Sequence, residues 1–251
     1  MGRSYGAISY SNVHYFSRFV DEKYDSVGEN SIVSERQYSG TTRGRNQYGQ
    51  QHYTNTYIAP DSFIPDIFLS RSRPKSRFVV DNNEARIIAE EIFELMMHGR
   101  LDNNISINVL PFDEFKALHS RFGAWSNGIL GFSITRKSRK IFVRENQLDE
   151  LMIVLGHEIG HVLTETLPNK HDEEAKAFAF SIEWAKTIKK HNVANLGLNI
   201  KDNLDFNPAR NGLHDIAFEF VDLMVKQGIM AMQLHDDLAK KYKSIFNKVY
   251  L

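Results

Sequence analysis

The sequence predicts an α+β fold, on three observations. Several stretches beyond residue 81 carry apolar side chains at helical spacing, one run alternates apolar with polar residues, and two extended runs are joined by a short polar turn. With 251 residues, 42% of them apolar, the chain can bury a real core. Basic and acidic residues number 31 each, so the formal net charge of zero gives no general argument for nucleic acid or an anionic membrane. Cysteine is absent, which excludes disulfides, thiol nucleophiles and thiolate metal sites; a metal would have to be held by His, Asp and Glu.

Composition divides the chain into three parts. Residues 1–77 are rich in Ser, Tyr, Asn, Gly and Arg without a sustained apolar period, and read as a flexible polar arm. Interleaved Arg and Tyr could stack on single-stranded nucleic acid, but a solvated or partner-ordered tail is the expected reading, and nucleic acid is not an expected partner. An apolar patch within the arm, Phe63 to Leu69, either docks on the folded domain, across its cleft for example, or serves as a linear motif. Residues 78–190 form the expected domain and residues 191–251 a helical extension. No signal peptide, lipidation signal or membrane-spanning run is evident, so a cytoplasmic protein outside the membrane is expected.

The elements follow in order. Asp81 or Asn82 can cap a helix that carries Ile87, Ile88, Ile92, Leu95 and Met96 at helical spacing and stops near Gly99. Ile105, Ile107 and Val109 alternate with polar residues in a strand that Pro111 ends, before a short helix through Phe115 and Leu118. Residues 128–135 and 140–144 make a hairpin, whose first strand is either an edge open to an extended peptide or an interior strand. A helix then begins near Asn146, a plausible N-cap, with Leu148, Leu151, Met152, Leu155, Ile159 and Val162 as its buried stripe. Another runs from Glu173 to about Lys190, with Ala175, Phe178, Ala179, Ile182, Ala185 and Ile188 on its apolar side.

The helix after the hairpin contains His157-Glu158-Ile159-Gly160-His161. At 3.6 residues per turn, His157 and His161 share a face and can bind one metal ion, while Glu158 beside them can act as general base. Gly156 and Gly160 each cost about 1 kcal/mol of helix propensity relative to Ala, so close approach by a neighbouring backbone or a substrate is expected there. A catalytic zinc site takes a third protein ligand. A metzincin arrangement would need His at 167 and Gly at 164, where Leu167 and Thr164 stand, and His171 is a poor alternative. The acids Asp172, Glu173 and Glu174 remain. Glu174 is favoured because Ala177 and Ser181 follow it along its face, where Glu173 would set Lys176 and Phe180 against the zinc helix.

This combination resembles the gluzincin metallopeptidases, most closely the small minigluzincins and the ImmA/IrrE-like peptidases, over roughly residues 82–190. The resemblance implies a small zincin-like domain: a short mixed sheet, a zinc-binding helix and a Glu helix. It implies Zn2+ held by two histidines and a glutamate, a base at Glu158, a strand aligning the substrate, and hydrolysis of a peptide or protein substrate. Lys176 departs from the ImmA-like pattern, whose register would instead put Asp172 at the third ligand.

Beyond the Glu helix, residues 191–207 read as a long connection, and Asn207-Pro208 can start a further helix. There His214, steadied by Asp215, or Arg210 could stabilise an oxyanion; a simple capped helix start is the plainer reading. Leu213, Ile216, Phe220 and Leu223, then Ile229, Met232, Leu238 and Tyr242 after Gly228, mark two helices. They could complete the core, join two copies in a homo-oligomer, or cover the cleft and hold the enzyme latent. The contrasting function is a non-catalytic, metal-stabilised interaction protein that binds its partner through the arm.

Overall fold

The computed structural model describes residues 65–135, 138–204 and 212–246. Most of the polar arm, with Phe63 and Ile64 of its apolar patch, and Arg210 lie outside the described residues. Within them the fold is α+β, with six helices and two small sheets. β1 (Phe78–Val79) leads into α1 (Asn82–Met97), whose N-cap Asp81 accepts a hydrogen bond from the Glu84 N–H at 2.7 Å. β2 (Ile105–Leu110), α2 (Phe112–His119), β3 (Gly131–Ile134) and β4 (Arg139–Arg144) follow. The strand order is β2-β4-β3, with β2 parallel and β3 antiparallel to β4. β3 therefore stands at a sheet edge, with its Gly131 against Val154 and Glu158 of the helix that carries the motif. β5 (Asn146–Gln147) pairs antiparallel with β1.

α3 (Leu148–Val162) carries the His-Glu-Ile-Gly-His motif and is buried along almost its whole length. Asn146 is not its N-cap: it lies in β5, where its side chain accepts from the Gln147 N–H and donates to Glu150 Oε2 at 2.7 Å. The start of α3 is held instead through buried Asp149. Its carboxylate accepts from Ser76 Oγ (2.6 Å) and Asn199 Nδ2 (2.9 Å) and pairs with Arg73 Nε (2.9 Å). These three partners come from segments distant in sequence, so the carboxylate fixes the end of the helix in the fold and not only its first turn.

α4 (Lys170–His191) begins three residues earlier than the acidic run suggests, because Asn169 Oδ1 accepts from the His171 N–H at 2.9 Å and caps it. α3 and α4 meet with almost no space between them. A Cβ on Gly156 would lie 2.4 Å from the Trp184 ring, and one on Gly160 would lie 2.9 Å from Ala177 Cα. Both glycines are thus explained by close packing, which offsets their cost in helix propensity. Trp184 donates its Nε1–H to the Met152 carbonyl at 2.9 Å, fixing the register of the two helices.

α5 (Leu213–Lys226) and α6 (Ala231–Ala239) lie on α4 and share the same core, through Ala217, Phe218, Val221, Ala231, Leu234 and Leu238. Phe218 packs edge-on against Phe178 (5.3 Å) and Phe68 (6.3 Å). Phe68 and Leu69, the end of the arm's apolar patch, are fully buried, and the segment pairs with Ile200. No helix of the described residues is long and apolar enough to cross a membrane.

Candidate metal centre

The 3.6-residue period sets the His157 and His161 rings 4.7 Å apart on one face of α3, with their Nε2 atoms 3.2 Å from each other. α4 brings Glu174 Oε2 to 3.3 Å from His157 Nε2 and 3.8 Å from His161 Nε2. Donors about 2.0–2.1 Å from a tetrahedral ion stand about 3.3 Å from one another, so these separations suit one small divalent cation. His214, at the start of α5, places its Nε2 3.1 Å from the same Glu174 oxygen. The donor atoms of His157, Glu174 and His214 all lie within 4.8 Å of one another, and this buried group could hold a metal ion.

The chemistry of the donors supports the fit. Glu174 Oε2 is buried and makes no hydrogen bond of good geometry, although three imidazole nitrogens surround it. An oxygen so placed is an ill-used hydrogen-bond acceptor and a well-placed ligand. Burial acts to raise the Glu174 pKa, but the facing imidazoles of His214, His161 and His157 outweigh it and hold the carboxyl well below its ordinary range. Burial pushes His157 down to about 4, with His161 and His214 adding to the fall, so it stands neutral with a lone pair to offer. His161 moves the other way: Glu174 and Glu173 outweigh its burial and lift it above the ordinary value.

Ring orientation is set from behind. His161 Nδ1 lies 2.8 Å from Glu173 Oε1, which keeps the proton on Nδ1 and turns Nε2 toward Glu174. Glu173 Oε2 accepts from the Leu167 N–H (2.8 Å) and pairs with Lys176 Nζ (2.9 Å), which also donates to the Glu165 carbonyl. Both oxygens of Glu173 are thereby engaged, and it sits behind the donor cluster while Glu174 sits within it. Lys176 is fully buried and its pKa is lowered by burial, with Glu173 opposing the fall. On the other ring, His157 Nδ1 faces Ser181 Oγ at 3.4 Å, and Ser181 donates onward to the Ala177 carbonyl.

Glu158 lies on the neighbouring face of α3, under the edge strand. A Cβ on Gly131 of β3 would come within 3.0 Å of Glu158 Oε1, and Ser133, two residues on, donates a hydrogen bond to the carboxylate. Burial pushes Glu158 up to about 7, against the pull of His161 and the Ser133 hydrogen bond. A carboxylate with that value can both take and return a proton near neutrality.

The structure therefore brings together His157, Glu158, His161, Glu174 and His214, with Glu173 one step behind. It does not bring Asp172 to them: that carboxylate accepts from Ser244 Oγ (2.8 Å) and the Ile245 N–H (2.7 Å), tying the last described segment to the start of α4. His171 packs against Phe246. Sequence reasoning overlooked Ser133 and Gly131 as neighbours of Glu158; their i, i+2 spacing on a candidate edge strand was the available signal. The approach of His214 to Glu174 had no local signal. Comparison of the chain with family models, curated proteins and solved structures found no match.

Proposed function

We propose that the chain is a zinc-dependent endopeptidase with a zincin-like arrangement of sheet, motif helix and Glu helix. The observation that carries this reading is the convergence of His157 Nε2, His161 Nε2 and Glu174 Oε2 within 3.2–3.8 Å, with the buried carboxylate of Glu158 on the adjoining face. Bound there, a zinc ion would lower the pKa of water to about 7 and polarise a carbonyl. Glu158 takes the proton of the attacking water on a carboxylate oxygen and returns it to the leaving amine. Ser133 and Gly131 seat that carboxylate, and Glu173 keeps His161 in the required tautomer. The edge of β3 gives an extended peptide main-chain partners beside Glu158, which favours unfolded segments over folded proteins.

The non-catalytic alternative, a metal kept only for stability, draws on one observation: His214 offers a further protein donor, and structural zinc sites usually have four. Glu158 separates the two readings, because a structural site needs no buried base beside its first ligand. The test is zinc content and casein hydrolysis of wild type beside Glu158→Gln, each as the full chain and after trimming of either terminal region. One equivalent of zinc in both, with hydrolysis only where Glu158 is present, is the expected result. Zinc in both with no hydrolysis by any form, His214→Ala included, would establish the structural reading instead.

A further inference from the structure

We propose that His214 is the fourth protein donor of the metal site, so that α5 closes the coordination sphere and holds the full chain in a latent state. The inference rests on the zinc reading above and concerns the regulation of that same site. His214 Nε2 stands 3.1 Å from Glu174 Oε2, close to the separation of about 3.3 Å between two ligands of one tetrahedral ion. Its ring also faces His157, at 6.2 Å between centroids, and lies edge-on to Phe178 at 5.9 Å. His157 and Glu174 thus belong to two donor sets, one completed by His161 from the same helix and one by His214 from α5.

Placement decides between this role and oxyanion stabilisation. A donor serving the oxyanion must stand 2.7–3.1 Å from the position the substrate oxygen will take, with the substrate lying between it and the ligand set. His214 instead stands in a buried position directly against the Glu174 oxygen, with no space between the two for a substrate atom. α5 is not perched there loosely. Ala217, Phe218 and Val221 are fully buried, and Phe218 packs on Phe178 one turn beyond Glu174 on α4. The side of α5 turned outward keeps Ile216 and Leu223 nearly half exposed. Opening the site requires α5, or at least its first turn, to withdraw the imidazole.

The experiment uses the full chain loaded with cobalt(II) in place of zinc, as wild type, His214→Ala and His214→Gln, with azide as the probe ligand. Azide should leave the visible spectrum of wild type unchanged and shift that of both variants, because only they have a position free for it. Zinc affinity should fall about tenfold or more in both variants, at least the loss typical of removing a partner one shell further out. Added imidazole should refill the position in His214→Ala and remove its response to azide. An equal azide response in wild type and variants, or an unchanged zinc affinity, would overturn the role of His214 while leaving the zinc site intact. Failure of wild type to take up cobalt or zinc would overturn the metal reading itself. Casein hydrolysis appearing in the variants and abolished by Glu158→Gln would join the two; an open site without hydrolysis would keep His214 as a donor and remove the peptidase.

Discussion

The two faces of α4 are built differently, and the difference separates what is fixed in this site from what can be withdrawn. Toward α3 the main chain of that helix comes close: Gly160 lies against Ala177 and Gly156 against the Trp184 ring, with Trp184 donating to the Met152 carbonyl. Toward α5 the contact is made by side chains that reach across, Phe178 on Phe218 and Glu174 on His214. The first interface cannot loosen without moving main chain, so His157, His161 and Glu174 keep their mutual distances. The second is made by side chains of a separate helix, and parting it would require α5 to give up the buried contacts of Ala217, Phe218 and Val221. On the proposed reading, such a site would have a three-donor base between two tightly packed helices and a fourth donor on a separate helix.

The largest effect that sharpens this contrast is expected at the aromatic contact. Phe218→Ala removes the main apolar anchor of α5 and should cost about 3–5 kcal/mol in denaturant unfolding, while leaving the zinc affinity of the α3–α4 donors within the range of His214→Ala. A small loss would mean that α5 is held elsewhere. On the opposite face, Gly160→Ala forces a methyl to within 2.9 Å of Ala177 Cα, where neither partner can turn aside. It should cost about 1–3 kcal/mol and, unlike Phe218→Ala, weaken metal binding by splaying Glu174 from the histidines. Unchanged zinc affinity in Gly160→Ala would break the claim that this interface sets the ligand distances.

Adjacent acids on α4 supply a finer comparison. Glu173 and Glu174 are neighbours, yet one has both oxygens engaged by His161, Leu167 and Lys176 while the other turns an unbonded oxygen among imidazoles. Glu173→Gln should therefore lower zinc affinity about 10–100-fold, as loss of a supporting partner does, without abolishing binding. Isothermal titration with zinc would reveal the error if the loss matched that of Glu174→Ala.

A further effect concerns the metal-free protein. Burial raises Glu158 from 4.5 to about 7, so the folded chain retains this proton over that interval where the unfolded chain has lost it. The stabilisation is fully present below pH 4.5 and is lost as pH rises through 7. Glu158→Gln suffers no such loss. In EDTA-treated samples above neutrality the variant should be more stable than wild type, by on the order of 2 kcal/mol, and the gap should close toward acid pH. A gap independent of pH would mean that the carboxyl titrates normally.

What could be read from the sequence follows from how local each feature is. The pairing of His157 with His161 needs only the helical period, and the hairpin needs only two extended runs and a polar turn, whereas the edge position of its first strand, left open by the sequence, comes from the strand order. The glycines at 156 and 160 announced a close approach, and the structure supplies Trp184 and Ala177 as the partners. Asn169 as the cap of α4 was missed because the acidic run after it looked like a first turn. Choosing among Asp172, Glu173 and Glu174 required knowing which face of α4 meets α3, for which Ala177 and Ser181 offered a steric clue. That Asp172 serves Ser244 and Ile245, that Lys176 is fully buried, and that His214 returns to Glu174 are products of tertiary packing, invisible to any window of sequence.

Whether His157, His161 and Glu174 hold one zinc ion is decided by native mass spectrometry of wild type beside Glu174→Ala after equal exposure to zinc. One bound zinc per wild-type chain, and markedly less retained by Glu174→Ala at the same folded fraction, is the expected outcome. Wild type without zinc, or equal retention by both, would contradict it.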